Sequence, residues 1–177
     1  MPYFAPEVTF ALRVGDDVPE NGGCPIGGEF VHKTSKELFG GKRVVIFSLP
    51  GAFTPTCSTY QLPGFEELYD EFKAAGIDEV YCISVNDAFV MNEWARQLGI
   101  KKVKMLPDGN GDFTRLMGML VSKSTIGFGL RSHRYAAVLT DMVRDKLFTE
   151  PGRYDNAAGD PYGESSPENV LKYLKAQ

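Results

Sequence analysis

One cysteine of this chain stands where a thiol could act as a nucleophile. Cys57 ends the run PGAFTPTC, which lies between an apolar segment and the start of a predicted helix. The free N–H groups and the positive dipole end of a helix N-terminus stabilise a thiolate relative to a thiol. Pro50 could shield the sulfur from water, and the Thr54 hydroxyl could hydrogen-bond a bound substrate. These residues predict thiolate chemistry at Cys57.

The thiolate also needs a cation from elsewhere in the fold. A free thiol has a pKa of about 8.5, and ionising most of it at neutral pH takes about 2.7 kcal/mol. One helix terminus supplies about 1 kcal/mol, so a positively charged side chain must supply the rest. Arginine suits this role because it stays charged and presents several donors in a fixed geometry.

The segments around Cys57 alternate between strand and helix patterns. Apolar runs predict strands at 8–14, 43–49, 79–85 and 103–106. Helical patterns predict a short turn at 34–39 and helices at 58–76, 87–98 and 167–174. An antiparallel hairpin is predicted from segments 135–139 and 143–149. This order predicts an α/β fold of the thioredoxin-like type, with a mixed central β-sheet flanked by helices.

Length and composition fit one folded domain spanning residues 1–177, with an irregular Gly/Pro/Asp-rich loop at 15–28. The chain is 43% hydrophobic and 24% charged, which is the normal range for a globular protein. A formal net charge of -4, with no long basic stripe, argues against nucleic acid as a partner. No apolar run reaches the roughly 20 residues needed to cross a bilayer, and no secretory signal is visible. We therefore expect no membrane partner and a cytoplasmic location.

Pro50, Thr54 and Cys57 match the PxxxTxxC signature, so the chain resembles the peroxiredoxins. Three further segments fit the type II or peroxiredoxin-5 subgroup, namely ISVNDAFV, DGNG and RSHRY. The resemblance covers roughly residues 30–175. It implies a thiol peroxidase that reduces hydrogen peroxide and organic hydroperoxides, and it implies a homodimer with an interface near the active-site loops.

The implied mechanism is an in-line displacement on the peroxide. The Cys57 thiolate attacks one oxygen and leaves a sulfenic acid together with water or an alcohol. The resemblance maps the active-site arginine to Arg134, with Arg131 as the nearby alternative. Arg134, Thr54 and backbone N–H groups near Thr56 would stabilise the developing charge. No metal ion or organic cofactor is required.

The other two cysteines leave the recycling of the sulfenic acid open. Cys82 lies 82 − 57 = 25 positions after Cys57, the spacing of the resolving cysteine in plant-like type II peroxiredoxins. We favour a buried hydrophobic role for Cys82, because it lies in the middle of an apolar strand. Cys24, in its loop, is a second possible resolving cysteine. We expect a one-cysteine cycle with glutathione or a glutaredoxin as the reductant, and thioredoxin as the alternative.

Other interpretations use the same residues differently. A non-catalytic redox-sensing or chaperone module is the main alternative, because one fold hosts many functions. A thiol–disulfide oxidoreductase is disfavoured, because Thr54 stands where a Cys-x-x-Cys motif needs a cysteine. A Cys–His pair with His32 or His133 is also disfavoured, and we expect His133 to point outward if Arg134 points inward. The aromatic residues predicted to form core or subunit contacts are Phe53, Phe89, Trp94 and Phe128.

Overall fold

The computed structural model describes residues 1–177 and places a five-stranded sheet at the centre of the chain. The strands are β1 (Thr9–Val14), β2 (Glu29–Thr34), β3 (Arg43–Ser48), β4 (Glu79–Ser84), β5 (Lys104–Pro107), β6 (Leu120–Ser122), β7 (Leu130–Ser132), β8 (Tyr135–Thr140) and β9 (Val143–Thr149). The central sheet has the order β5-β4-β3-β8-β9, while β1 pairs with β2 and β6 with β7 in two small sheets. Strands β3, β4 and β5 are parallel, whereas β8 and β9 are antiparallel to their neighbours. The predicted mixed sheet is confirmed.

Helices cover both faces of this sheet. They are α1 (Ser35–Phe39), α2 (Leu62–Glu67), α3 (Tyr69–Ala74), α4 (Ala88–Gln97), α5 (Asp112–Leu116) and α6 (Pro167–Lys175). A π-helical turn, Cys57–Gln61, precedes α2, and a 3-10 turn, Ser124–Ile126, follows β6. No helix of the chain is both long enough and apolar enough to span a membrane.

Strand β3 is buried on both faces, which is why it reads as a continuous apolar run. Val45 and Phe47 belong to one apolar cluster, together with side chains of α2, α3, α4 and α6. Val44 and Ile46 belong to the other cluster, together with side chains of β1, α1 and α5. Pro50 lies two positions after the end of β3. The loop that leads to Cys57 therefore begins at a well-packed strand.

The predicted helix after Cys57 is interrupted. Its first turn is π-helical, with the Leu62 N–H donating to the Cys57 carbonyl five residues back, and a break at Leu68 separates α2 from α3. Pro63 explains the π turn, because it has no N–H for the carbonyl of Thr59 and its ring displaces that carbonyl. The sequence prediction of one continuous helix was wrong because it followed apolar periodicity and gave Pro63 no weight.

The loop at 15–28 has anchored ends. The Asp16 carboxylate accepts hydrogen bonds from the Arg13 side chain and from the Gly28 N–H, and Asp17 forms an isolated antiparallel bridge with Ile26. Sequence analysis assigned neither β2 after this loop nor the short elements α5, β6 and β7. Strands of three residues, such as β6 and β7, carry too little alternation to be recognised locally.

Candidate active site

Cys57 lies in the first helical turn after β3. The chain is helical from Pro55, and the thiol side chain is 1% exposed. The Gln61 amide, one turn further along, donates to the Ser48 carbonyl at 3.2 Å and so ties this turn to the end of β3. The helix start therefore holds the sulfur in the interior rather than at the surface.

Arg134, immediately before β8, brings a positive charge to this sulfur. Its Nη1 lies 3.4 Å from Cys57 Sγ and also donates to Gln61 Oε1. The arginine is 2% exposed. Burial alone would lower the pKa of Arg134, but the neighbouring Cys57 and Asp160 outweigh burial and raise it above its ordinary value. The guanidinium therefore stays charged next to the sulfur.

Arg131, the alternative cation, is used differently. Its Nη1 donates to the Pro50 carbonyl at 3.2 Å, and its Nε donates to the Phe128 carbonyl at 3.1 Å. Its guanidinium also lies over the Phe128 ring at 5.2 Å. A Cβ atom at Gly51 would come within 2.4 Å of Arg131 Nη1, so a larger residue there would displace this guanidinium. Arg131 therefore holds the loop before Cys57 and does not contact the sulfur.

The other two predicted site residues line the same loop. Pro50 is buried at the end of β3. The Thr54 hydroxyl donates to the Gly51 carbonyl at 2.7 Å. Because its proton is engaged there, this hydroxyl has its lone pairs left to accept a hydrogen bond. Between these residues, Phe53 has a φ of 62°, a sparsely populated conformation for a residue with a side chain.

Sequence analysis missed three side chains that contact Arg134, namely those of Asp160, Tyr162 and Gln61. Asp160 Oδ1 accepts from Arg134 Nη2 at 2.5 Å, and the Tyr162 ring lies 5.8 Å from the guanidinium carbon. Burial raises the pKa of Asp160, but the neighbouring Thr56 and Arg134 side chains outweigh it, so the pKa lies below its usual value. For Gln61, its position four residues after Cys57 on a predicted helix was an available signal.

Comparison with known proteins decides the family. Residues 13–159 match the Redoxin family. The chain is 59% identical to a peroxiredoxin of Rhizobium etli over 171 residues, which is 97% of this chain and 94% of the relative.

The chain belongs to the peroxiredoxins.

Two further comparisons place this peroxiredoxin more closely. It is 45% identical to hybrid peroxiredoxin hyPrx5 of Haemophilus influenzae over 97% of its own length and 65% of the relative. The solved structure of the Plasmodium falciparum antioxidant protein, a 1-Cys peroxiredoxin, superimposes with a TM-score of 0.87 at 38% identity, covering 99% and 98% of the two chains. These comparisons confirm the predicted thioredoxin-like fold and the predicted resemblance to the peroxiredoxin-5 subgroup. The peroxiredoxin is a thiol peroxidase, an enzyme that reduces a hydroperoxide at the expense of a thiol.

The three cysteines of the peroxiredoxin are unpaired and lie in different surroundings. Cys82 is fully buried in β4, paired in register with Phe47 of β3 and Met105 of β5. Burial, with a smaller contribution from Cys57, raises the pKa of the Cys82 thiol well above its ordinary value. Cys24 is exposed in the 15–28 loop.

The expected outward orientation of His133 is wrong. His133 is 7% exposed, and its Nε2 lies 2.7 Å from the Glu150 carbonyl. Strand alternation does not apply, because His133 and Arg134 lie between β7 and β8 and not within a strand. Burial lowers the pKa of His133. His32 is exposed on β2, so neither histidine forms a pair with Cys57.

Proposed function

We propose that Cys57 is the nucleophile of the peroxidase reaction and that Arg134, Thr54 and Pro50 complete its site. The observation that carries this proposal is the distance of 3.4 Å between Arg134 Nη1 and Cys57 Sγ. Both residues are almost fully buried, so solvent screens the interaction of the guanidinium with the sulfur only weakly.

The surrounding groups suit an in-line displacement on a peroxide. The thiolate forms a bond to the nearer oxygen while the O–O bond breaks, which leaves a sulfenic acid and an alkoxide or hydroxide that takes up a proton. Arg134 Nε is buried and has no hydrogen-bond partner, so it is a free donor for a peroxide oxygen. The Thr54 hydroxyl accepts from the peroxide O–H, because its own proton is held by Gly51. These contacts strengthen as charge moves to the departing oxygen.

Pro50 contributes by shape rather than by chemistry. It is buried and has no N–H, so it can border the sulfur without placing another donor there. The Arg131 guanidinium fixes its carbonyl. We assign Arg131 to holding this loop and Arg134 to the reacting atoms.

The proposed cycle uses one cysteine and an external thiol. Glutathione, alone or through a glutaredoxin, is the proposed reductant, and thioredoxin is the alternative. Burial raises the pKa of Cys82, so little of it is present as the thiolate that attacks a sulfenic acid. The similarity to a 1-Cys peroxiredoxin over 99% of the chain supports the same cycle.

The proposal also includes a homodimer and a cytoplasmic location. Phe53 is 50% exposed and Tyr60 is 62% exposed, and both lie beside Cys57 in sequence. Large apolar side chains grouped at a functional loop are typical of an interface. Three unpaired cysteines suit a reducing compartment.

The test is peroxide consumption by Cys57→Ser with dithiothreitol as the reductant. We expect less than about 1% of the wild-type rate, because an alcohol does not ionise at neutral pH and cannot replace the thiolate. Cys82→Ala is the matched control, since it removes another buried thiol of the same apolar cluster, and it should keep its activity. A Cys57→Ser rate of half the wild-type value would refute the assignment.

A further inference from the structure

Asp160 engages the side of Arg134 that does not face Cys57. Arg134 Nη1 contacts Cys57 and Gln61, whereas Nη2 donates to Asp160 Oδ1 at 2.5 Å. The guanidinium is therefore contacted at both of its terminal nitrogens, Nη1 and Nη2. These contacts fix the orientation of its plane. The Thr56 side chain, next to Cys57 in the first helical turn, lies near enough to the Asp160 carboxylate to lower its pKa.

The loop that carries Asp160, residues 151–163, is anchored away from Arg134. At one end the buried Glu150 carboxylate accepts from the Gly163 N–H at 2.7 Å and from the Ser165 N–H at 2.9 Å. Near the middle, Asp155 accepts from the Ser122 N–H at 2.7 Å. Asp160 is 47% exposed at its side chain, but its backbone belongs to a segment held at several points. The anchored backbone of this loop therefore holds the Asp160 carboxylate in its position beside Arg134.

We propose that Asp160 is a positioning residue of the peroxidase site, which holds the Arg134 guanidinium in place beside Cys57. This inference rests on the proposed roles of Cys57 and Arg134. No contact between Asp160 and the peroxide is required. The carboxylate acts through the guanidinium.

The two halves of the catalytic cycle make different demands on this arrangement. A peroxide is small and reacts at a sulfur that is 1% exposed, provided the guanidinium is held in place. A reducing thiol is larger, so the turn that carries Cys57 must move before the sulfenic acid can be reached. That movement separates Cys57 and Gln61 from the Arg134 guanidinium that Asp160 holds. Loss of the Asp160 carboxylate should therefore slow the peroxide step without slowing the reduction step.

The experiment measures both steps in Asp160→Asn. Asparagine is isosteric, keeps an acceptor oxygen and removes only the charge. Asp155→Asn is the matched control, because it makes the same change in the same loop and keeps an acceptor for Ser122. Trp94, the single tryptophan, serves as the fluorescence reporter, since its Nε1 donates to Ser58 Oγ at 2.9 Å beside Cys57. Stopped-flow traces give the rate of oxidation by hydrogen peroxide and then the rate of reduction by glutathione.

We expect Asp160→Asn to lower the rate of oxidation about tenfold while the rate of reduction is equal to or higher than in the wild type. Asp160→Glu, which keeps the carboxylate in a half-exposed position, should restore oxidation to within about threefold of wild type. A merely structural loss would lower both rates together. A fall in both rates would overturn the proposal. So would an unchanged rate of oxidation or a slower rate of reduction in Asp160→Asn, or a failure of Asp160→Glu to restore oxidation.

A failure of the underlying site assignment gives a different result. If Cys57→Ser still consumes peroxide, the proposed nucleophile is wrong. If Cys57→Ser is inactive and Asp160→Asn behaves like Asp155→Asn, only the role of Asp160 is wrong.

Discussion

Two arginines lie close to Cys57, and they make different contacts. Arg134 contacts the sulfur, whereas Arg131 contacts the loop before it. Arg134 is 2% exposed and contacts the Cys57 sulfur and the Asp160 carboxylate, so its burial is compensated. Arg131 is only partly buried and donates to the carbonyls of Pro50 and Phe128. Arg131 therefore fixes the backbone of this loop, whereas the position of Arg134 beside the sulfur supports its proposed role at the reacting atoms.

Substitution of these arginines should separate the two roles. Arg134→Gln should lower the second-order rate of Cys57 oxidation by about 100-fold or more, because one fixed donor to developing charge is worth about that factor. Arg131→Gln should lower it by less than about tenfold, since its effect reaches the sulfur only through the Pro50 loop. Stopped-flow oxidation measures both rates, and urea unfolding checks that each variant is folded. A larger loss in Arg131→Gln would show that the assignment is reversed.

At the scale of elements, one buried carboxylate joins the end of β9 to the approach of α6. Glu150 is 3% exposed and accepts from Gly163, Glu164 and Ser165. Burial raises the pKa of Glu150, but these hydrogen bonds outweigh it, so the pKa lies below its ordinary value of 4.5. The ionised form is therefore more favourable in the folded chain than in the unfolded chain.

This sign sets how stability should depend on pH. The contribution of Glu150 is fully present above its unfolded pKa and is lost as the pH falls through the lower folded value. Glu150→Gln should therefore be less stable than wild type by about 1–3 kcal/mol at neutral pH, and the difference should shrink below the ordinary pKa of 4.5. Urea unfolding across this pH range measures it. Glu67→Gln, at an exposed position of α2, is the control and should show neither effect, and a constant difference would contradict the prediction.

At the scale of the whole molecule, the cysteine positions bear on how the enzyme is recycled. Cys82 is enclosed between two strands of the central sheet, and Cys24 lies in an exposed loop on the β1–β2 side. A disulfide from Cys57 would require the two Cα atoms to come within about 7 Å. For Cys82, the first helical turn and its contacts with Arg134 would have to be given up.

A Cys24→Ser, Cys82→Ala double variant should therefore keep its turnover with glutathione to within about threefold, since neither thiol is needed. The intact mass of the wild type after one equivalent of peroxide should increase by one oxygen. Addition of glutathione should then give a mixed disulfide. A loss of two hydrogens in the wild type, together with loss of turnover in the double variant, would establish a two-cysteine cycle instead.

The proposed association of two copies also concerns the whole molecule. Phe53 is held at a positive φ with half of its surface exposed beside the active-site loop. If this ring lies in the proposed interface, Phe53→Asp should place a charge there and shift the protein towards monomers. Sedimentation velocity at several concentrations measures the distribution. Phe89→Asp, at another exposed aromatic position, is the control, and a monomeric wild type would contradict the prediction.

Of the four aromatic residues predicted as core or subunit contacts, only Trp94 belongs to the core, while Phe53 and Phe89 are exposed. Periodicity marks a side chain as apolar and places it on a face of an element. Whether that face is covered depends on elements that arrive from elsewhere in the chain.

Local pattern was enough to propose the nucleophile and to predict most of the scaffold. The start of a helix after a buried strand pointed to Cys57, and the alternation of strand and helix patterns predicted the mixed sheet. Both signals work because burial and hydrogen bonding act on neighbouring residues with a fixed period. The resemblance to the peroxiredoxins then added Arg134, a residue that no period connects to Cys57.

Tertiary structure alone decided what holds Arg134. Asp160 contacts it from 26 positions away, within a Gly/Pro/Asp-rich segment that has no periodicity. The inward orientation of His133 likewise depends on how the turn between β7 and β8 meets Glu150. Such contacts join segments that are far apart in sequence. They form because the packed helices and strands bring the loops together, and no local pattern in the loop sequences predicts them.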